Sequence, residues 1–453
     1  MVLEPTTELA RFTANLTYEA LPVRVRERVK DLLLDAIACA LAGVRGDEAA
    51  QIRTLARSLG EGRSTVVGGE SLSLPGAVLL NGYLITAVTA CDVHRPTLFH
   101  VTPEVVPPAL AVAEERDSSG QQLITALAAG LEVSVRTALG TNYPAFRARG
   151  WHSPGVLGPF GGAAAAGVLM GLDELRQRNA FALAGSQSAG TFAQWGTPTI
   201  KFHQSRGALS GLLAALLGET GFIAAKEILT NEDGGIYHAY SDGGNVDLAV
   251  GGLGERWELE NISLRLWPLA SSIQSIVTAI FDLIERYDLT PAQVKRVHIG
   301  LSDGVYRMHG TMGWEDRFRA LLSAPYAAAV VLHDRLCWLE QFSPERISDP
   351  QLADFIRQRV VVENDPAVEG TGAVVQIETT TGEVHVDRRV APKGDPSDPL
   401  TRDQIEAKFR VASREALSPS ACNRVLALIG NLENGSAREL IATLGVARPT
   451  PAA

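Results

Sequence analysis

The chain has 453 residues, 46% of them apolar, and a formal net charge of −10 at pH 7. That length predicts two or three domains with ample core material, and the negative charge without a basic run argues against a nucleic-acid partner, whose affinity rests on phosphate neutralisation. Four cysteines (Cys39, Cys91, Cys337, Cys422) lie too far apart to suggest a disulfide framework or a zinc cluster. No apolar stretch reaches the roughly 20 residues of a membrane span, and Met1-Val2-Leu3-Glu4-Pro5 lacks the layout of a signal peptide. The expectation is a cytoplasmic globular protein with no membrane partner.

Helical spacing begins at Pro22 to Ala42, where Val25, Val29, Leu32, Leu33, Ile37 and Leu41 share a face that ends at Gly43. Further helices are predicted over Pro107 to Arg116, Gln121 to Leu139, a Gly/Ala run after His152, Asp173 to Gly185, Gly207 to Gly218 and Ile223 to Leu229. Helix after helix without intervening strands points to an all-helical first domain. The pattern changes after Trp267-Pro268. A helix from Ile273 to Tyr287 precedes an alternating strand from Gln293 to Leu301. A helix over Ala324 to Leu336 is followed by a strand at Arg359 to Val362, then by a hairpin of Gly372 to Thr380 and Glu383 to Val390 turning at Thr381-Gly382. Beyond Pro392 to Pro399, helix returns from Thr401 to Leu417 and in shorter pieces to Leu444, and Arg448 to Ala453 reads as a frayed tail. The expected fold is mainly α: a large helical domain from residues 1–265 and 400–453, with an α+β domain over 266–399 inserted between them.

No Walker loop, dinucleotide fingerprint, His-Glu-x-x-His or Gly-x-Ser-x-Gly occurs. Four segments stand out instead. Asp92, His94 and His100 crowd one short loop, and a metal role for them is disfavoured because no second ligand cluster accompanies them. Tyr143, Arg147, Arg149 and His152 gather before Gly155 to Gly167, a run so rich in Gly and Ala that it suits only a helix packed very closely. Lys201, His203 and Arg206 precede a helix expected near Gly207, a favourable place for a carboxylate. Arg265 stands at the predicted domain junction. Taken singly, each segment also suits a solvated or capped loop.

In this order the segments resemble the MmgE/PrpD family, over essentially the whole chain. The family's first motif, Asp-Asp-Thr-His with a following His-Pro, falls on Cys91-Asp92-Val93-His94 and His100. Its Gly-Phe-His-x-Thr-x-x-Gly-x-Phe-Gly-Ala-Ala-Ala is similar to Gly150-Trp151-His152 through Ala165, and its Lys before Leu-His-x-Gly-x-Ala is similar to Lys201-Phe202-His203 with Gly207-Ala208. A Phe-Ser-x-x-Tyr motif falls on Leu322-Ser323-Ala324-Pro325-Tyr326. The resemblance implies a helical domain, an inserted lid domain, a homodimer, and an active site between domains that uses no metal or organic cofactor. It also implies a small di- or tricarboxylate substrate handled by proton transfer next to a carboxylate.

On that resemblance His152 and His100 are the expected acid/base groups, with Asp92 orienting one of them or acting on the hydroxyl side, and Tyr326 as a further catalytic candidate. Lys201, Arg206, His94, His203, Arg265 and Tyr143 are the expected substrate-binding groups. The chain departs from the family at Cys91 and Val93, at Arg265 where a lysine is usual, and at Gln274 where a histidine is usual. These departures argue against ordinary methylcitrate as substrate. The function expected is a cofactor-independent dehydratase or decarboxylase, with an epimerase using the same pocket, or a weakened binding protein, as alternatives.

Overall fold

The computed structural model describes residues 4–445, so the predicted tail Arg448 to Ala453 lies outside the described residues. The chain divides into two compact units: one holds the residues up to Ile262 with those from Thr401 onward, and the other is Ser263–Leu400.

The first unit is built from α1 (Pro5–Asn15), α2 (Val23–Gly43), α3 (Ala49–Ser58), α4 (Leu74–Ala87), α5 (Thr102–Glu115), α6 (Gly120–Leu139), α7 (Tyr143–Ala148), α8 (Ser153–Met170), α9 (Glu174–Gly185), α10 (Thr199–Glu219), α11 (Ile236–Tyr240) and α12 (Val246–Val250). The returning C-terminal segment adds Arg402–Ser413, which packs on α2, and two further helices, Pro419–Gly430 and Ala437–Leu444. A two-stranded ladder, β1 (Ser64–Thr65) with β2 (Ser71–Leu72), interrupts the expected all-helical character.

At the centre lies α8, packed against α5, α6, α9 and α10. Its sequence is apolar all round, as a helix buried on every side must be. By length and composition it could cross a membrane, yet 83% of it is buried inside the protein. The glycines set how closely its neighbours approach: a methyl at Gly161 would lie 1.8 Å from Ser134 Oγ of α6, and one at Gly211 of α10 would lie 2.8 Å from Gly162 Cα.

Three sequence expectations need correction. The α5 helix starts at Thr102 rather than Pro107, because the Asp92 carboxylate takes the N–H groups of Val101 and Thr102 and so caps an extra turn. The α10 helix starts at Thr199 rather than Gly207, so Lys201, His203 and Arg206 ride on its first turns instead of preceding it. Their polarity hid the helix, since each is buried or half-buried against a specific partner rather than facing water. Ile223 to Leu229 is irregular, because Glu227 gathers the N–H groups of Leu229 and Thr230, and Ile223 is 85% exposed.

The second unit carries a four-stranded mixed sheet in the order β4-β3-β5-β6. Its strands are β3 (Val294–Leu301), β4 (Val360–Asn364), β5 (Ala373–Thr379) and β6 (Val384–Arg389). The β3 and β4 strands are parallel, while β5 pairs antiparallel with both β3 and β6. The expected hairpin forms at Gly382, whose φ of +92° is the left-handed geometry that glycine permits. Helix α13 (Gln274–Tyr287) packs on β5, β6 and the helix Ala324–Asp334.

Candidate functional site

The loop between α4 and α5 is a compact knot. His94 and Phe99 exchange backbone hydrogen bonds of 2.7 and 3.1 Å around a turn in which Leu98 takes a φ of +43°. Inside it, His94 Nδ1 meets Thr97 Oγ1 at 2.7 Å, and burial holds the His94 imidazole down at about 4, so it is neutral near pH 7. Asp92 is fully buried, and its carboxylate accepts from Val101 N, Thr102 N and the Thr102 hydroxyl. That carboxylate anchors α5. The connection of Asp92 to His100 runs through its backbone carbonyl, 2.6 Å from His100 Nδ1. Because a carbonyl only accepts, His100 Nδ1 bears the hydrogen and Nε2 is the basic nitrogen. The backbone of Asp92 thus orients His100, while its carboxylate holds the start of α5.

His152 stands at the N-terminus of α8. Ser153 next to it donates to Thr97 O at 2.7 Å and ties the helix to the histidine loop. The His152 backbone N–H reaches Gly190 O at 3.0 Å, while its Nδ1 lies 3.1 Å from Nδ1 of His203, on the second turn of α10. The Phe192 ring edges against His152, and the Arg147 guanidinium of α7 lies 3.4 Å above the Phe192 ring centre. Burial first, then His203, His100 and Arg147, push the His152 imidazole well below its usual range. Burial likewise lowers His203, helped by Arg206. This part of the unit therefore holds its imidazoles neutral, beside fixed positive charge.

Lys201 donates to Ala87 O at 2.7 Å and lies 3.8 Å from the Glu48 carboxylate, which also accepts from Tyr83 at 2.7 Å. The ammonium so placed at the C-terminus of α4 complements the helix dipole. Arg206 differs from its expected role. Its terminal nitrogens donate to Gln187 O, Gly155 O and Ala189 O, each at 2.7 Å, and to Ser210 Oγ at 3.1 Å. With both terminal nitrogens committed, Arg206 clamps the 187–190 segment to α8 and is the charged neighbour of His203, while Arg147 acts on His152. Tyr143, on α7, is pushed up to about 12 by burial, against the pull of Arg147 and the Ser153 hydroxyl.

Arg265 and Tyr326 belong to the second unit. Arg265 is buried and donates to Leu269 O at 3.0 Å, and Gln274 binds Trp267 O and Leu269 O, both at 3.0 Å, so together they fix this turn. The Tyr326 hydroxyl donates to Gln341 O at 2.7 Å from a fully buried ring. That proton is engaged in the fold.

Sequence reasoning missed two features. His309, in a π-helical turn over Tyr306–Gly310, bonds Ser272 Oγ at 2.9 Å and Leu322 O at 2.7 Å. Glu104 of α5 is fully buried, and neither carboxylate oxygen meets a hydrogen-bond partner among the described residues. Recognising Thr102-Pro103-Glu104 as a helix start, with Pro and an acid in the first turn, would have placed Glu104 on α5. Among the described residues no group of three or more His, Cys, Asp or Glu is placed to hold a metal ion.

A helical unit that sets buried imidazoles beside arginines and also buries a lysine has the equipment of an acid–base enzyme for anionic substrates. Models of the MmgE/PrpD N-terminal and C-terminal domains match residues 7–249 and 267–434, and the chain is an enzyme of the MmgE/PrpD family. It is 27% identical to a cis-aconitate decarboxylase-like protein of Aspergillus oryzae, over 97% of each chain. It is 26% identical to a cis-aconitate decarboxylase of Aspergillus terreus, covering 94% of this chain and 93% of the relative. The human cis-aconitate decarboxylase is also 26% identical, with 98% and 95% covered.

Proposed function

We propose that the chain decarboxylates a small unsaturated tricarboxylate of the cis-aconitate type. The observation that carries this reading is His152, a buried imidazole fixed at the start of α8, paired with His203 and within electrostatic reach of His100 and Arg147. The names of the relatives supply the substrate class.

Loss of carbon dioxide breaks a C–C bond, and its electron pair moves through the neighbouring double bond to a carbon beside a second carboxylate. A proton must then be delivered to that carbon. Each turnover is R–COO⁻ + H⁺ → R–H + CO₂, so one proton is consumed. Lys201 and Arg147 offer positive charge to the remaining carboxylates. Negative charge arriving beside His152 and His100 raises their proton affinity, and the proton that the carbanion needs is drawn from solvent during turnover.

The test is to incubate the protein with cis-aconitate in D₂O, following CO₂ and the position of deuterium in the product. One deuterium per CO₂, lost in His152→Ala with the fold intact by circular dichroism, is the expected result. Exchange with inversion at a carbon next to a carboxylate, without CO₂, would make the protein an epimerase. A broad panel of di- and tricarboxylates that neither bind nor react would defeat the proposal.

A further inference from the structure

A proton consumed at a buried imidazole has to reach it. His152 is enclosed by Phe192, by His203, and by the fields of Arg147 and His100, surroundings that oppose a lasting imidazolium. His203 is the more shallowly buried of the pair, with Arg206 as its charged neighbour. The two rings meet through Nδ1 on both sides, 3.1 Å apart, with planes inclined at 50°. Two bare nitrogens would repel and two N–H groups would clash, so one hydrogen lies between them. The contact is also built in: Gly190 and Gly155 pass so close to His203 that a methyl on either would come within 3.1 or 3.2 Å of that side chain.

We infer that the His203–His152 contact is the line along which the solvent proton enters, resting on the decarboxylase reading above. In the resting protein His203 carries its hydrogen on Nδ1 and His152 on Nε2. His152 gives its Nε2 hydrogen to the carbanion carbon, forming the C–H bond. The Nδ1 hydrogen of His203 moves to Nδ1 of His152, and Nε2 of His203 takes a proton from water. The sum is one solvent proton transferred to carbon with no charge left on either ring. Both rings then hold the opposite tautomer, and exchange with water resets them. His152 is the catalytic residue, and His203 serves it as a positioning and relay residue.

Two substitutions separate relay from packing. His203→Ala is expected to lower kcat about 100-fold or more, the usual scale of acid–base assistance, with KM for cis-aconitate within about threefold and activity partly restored by added imidazole. His203→Asn keeps a hydrogen-bonding group towards His152 but passes no proton through itself, so it should be as slow as His203→Ala. His203→Gln serves to assign the ¹⁵N signals. Recovery of kcat in His203→Asn, or a loss confined to KM, would overturn the relay.

A second measurement needs no substrate. In ¹⁵N-histidine-labelled wild-type protein, a proton on Nδ1 of His203 together with one on Nε2 of His152 is expected. Two Nε2–H rings would overturn the relay even if decarboxylation is confirmed. The expected tautomers in a protein that turns over no acid would sink the proposed function while keeping the pair.

Discussion

Glu104 sits where a carboxylate should not be. Its Cγ lies where a methyl at Gly158 would come within 2.4 Å and one at Gly207 within 3.1 Å, so α8 and α10 give up side chains to make room for it. Neither oxygen has a hydrogen-bond partner among the described residues, and burial, with Asp92 and Cys91 nearby, pushes the carboxyl well above its usual range. The expected consequence is a neutral acid held inside the helical core. Glu104→Met keeps an unbranched chain with its Cγ in the same place, whereas leucine would put a branch where the glycines leave no space.

Two terms favour the methionine variant. Removing an unsatisfied buried polar group is worth about 1–3 kcal/mol at any pH. The second term depends on pH. The folded value is raised above the unfolded one, near about 4.3, so the stability of the wild type is fully present below that value and falls as pH rises towards the folded value. The slope is about 1.4 kcal/mol per pH unit, which between pH 5 and 8 amounts to at most about 4 kcal/mol. Urea midpoints of wild type, Glu104→Met and Glu104→Gln at pH 5 and 8 measure this. Glu104→Met should be the more stable at both, and both variants should gain on the wild type at pH 8. A gap that does not change with pH would show that Glu104 is ionised or solvated and would refute the reasoning.

Tyr326→Phe removes one hydrogen bond to Gln341 O and should cost about 1 kcal/mol of stability with kcat unchanged; a kcat loss of tenfold or more would return the phenol to the chemistry. Arg206→Lys cannot span the three carbonyls the guanidinium now holds, so the thermal midpoint should fall while KM in the folded fraction stays near wild type; a rise in KM without destabilisation would make Arg206 a substrate ligand. Gly161→Ala drives a methyl to 1.8 Å from Ser134 Oγ and should cost about 1–3 kcal/mol or more; differential scanning calorimetry showing no change would mean that α6 and α8 can separate freely.

The parts of the fold legible in the sequence were those with a period or a turn: α2, α6, α9, α13 and the β5–β6 hairpin at Gly382. The α4 and α8 helices have no period to read, since they are apolar on every side; α8 was recovered only from its excess of small residues. The start of α10 was lost for the opposite reason, as Lys201, His203 and Arg206 look like a solvated loop until their partners are known. The site divides in the same way. Residue type picked out His100, His152, His203 and Lys201, but nothing in a string of letters separates Arg206, bound to four acceptors, from Arg147, lying over Phe192 beside the histidines. Spacing cannot reveal a hydrogen bond between residues 51 positions apart. Yet that one contact determines which nitrogen of each ring can act. A buried imidazole bonded through Nδ1 has only Nε2 left for substrate, and its basicity then depends on whether its partner donates or accepts. Residue identity nominates an acid–base group, but only the neighbouring hydrogen bond fixes the direction in which it moves a proton.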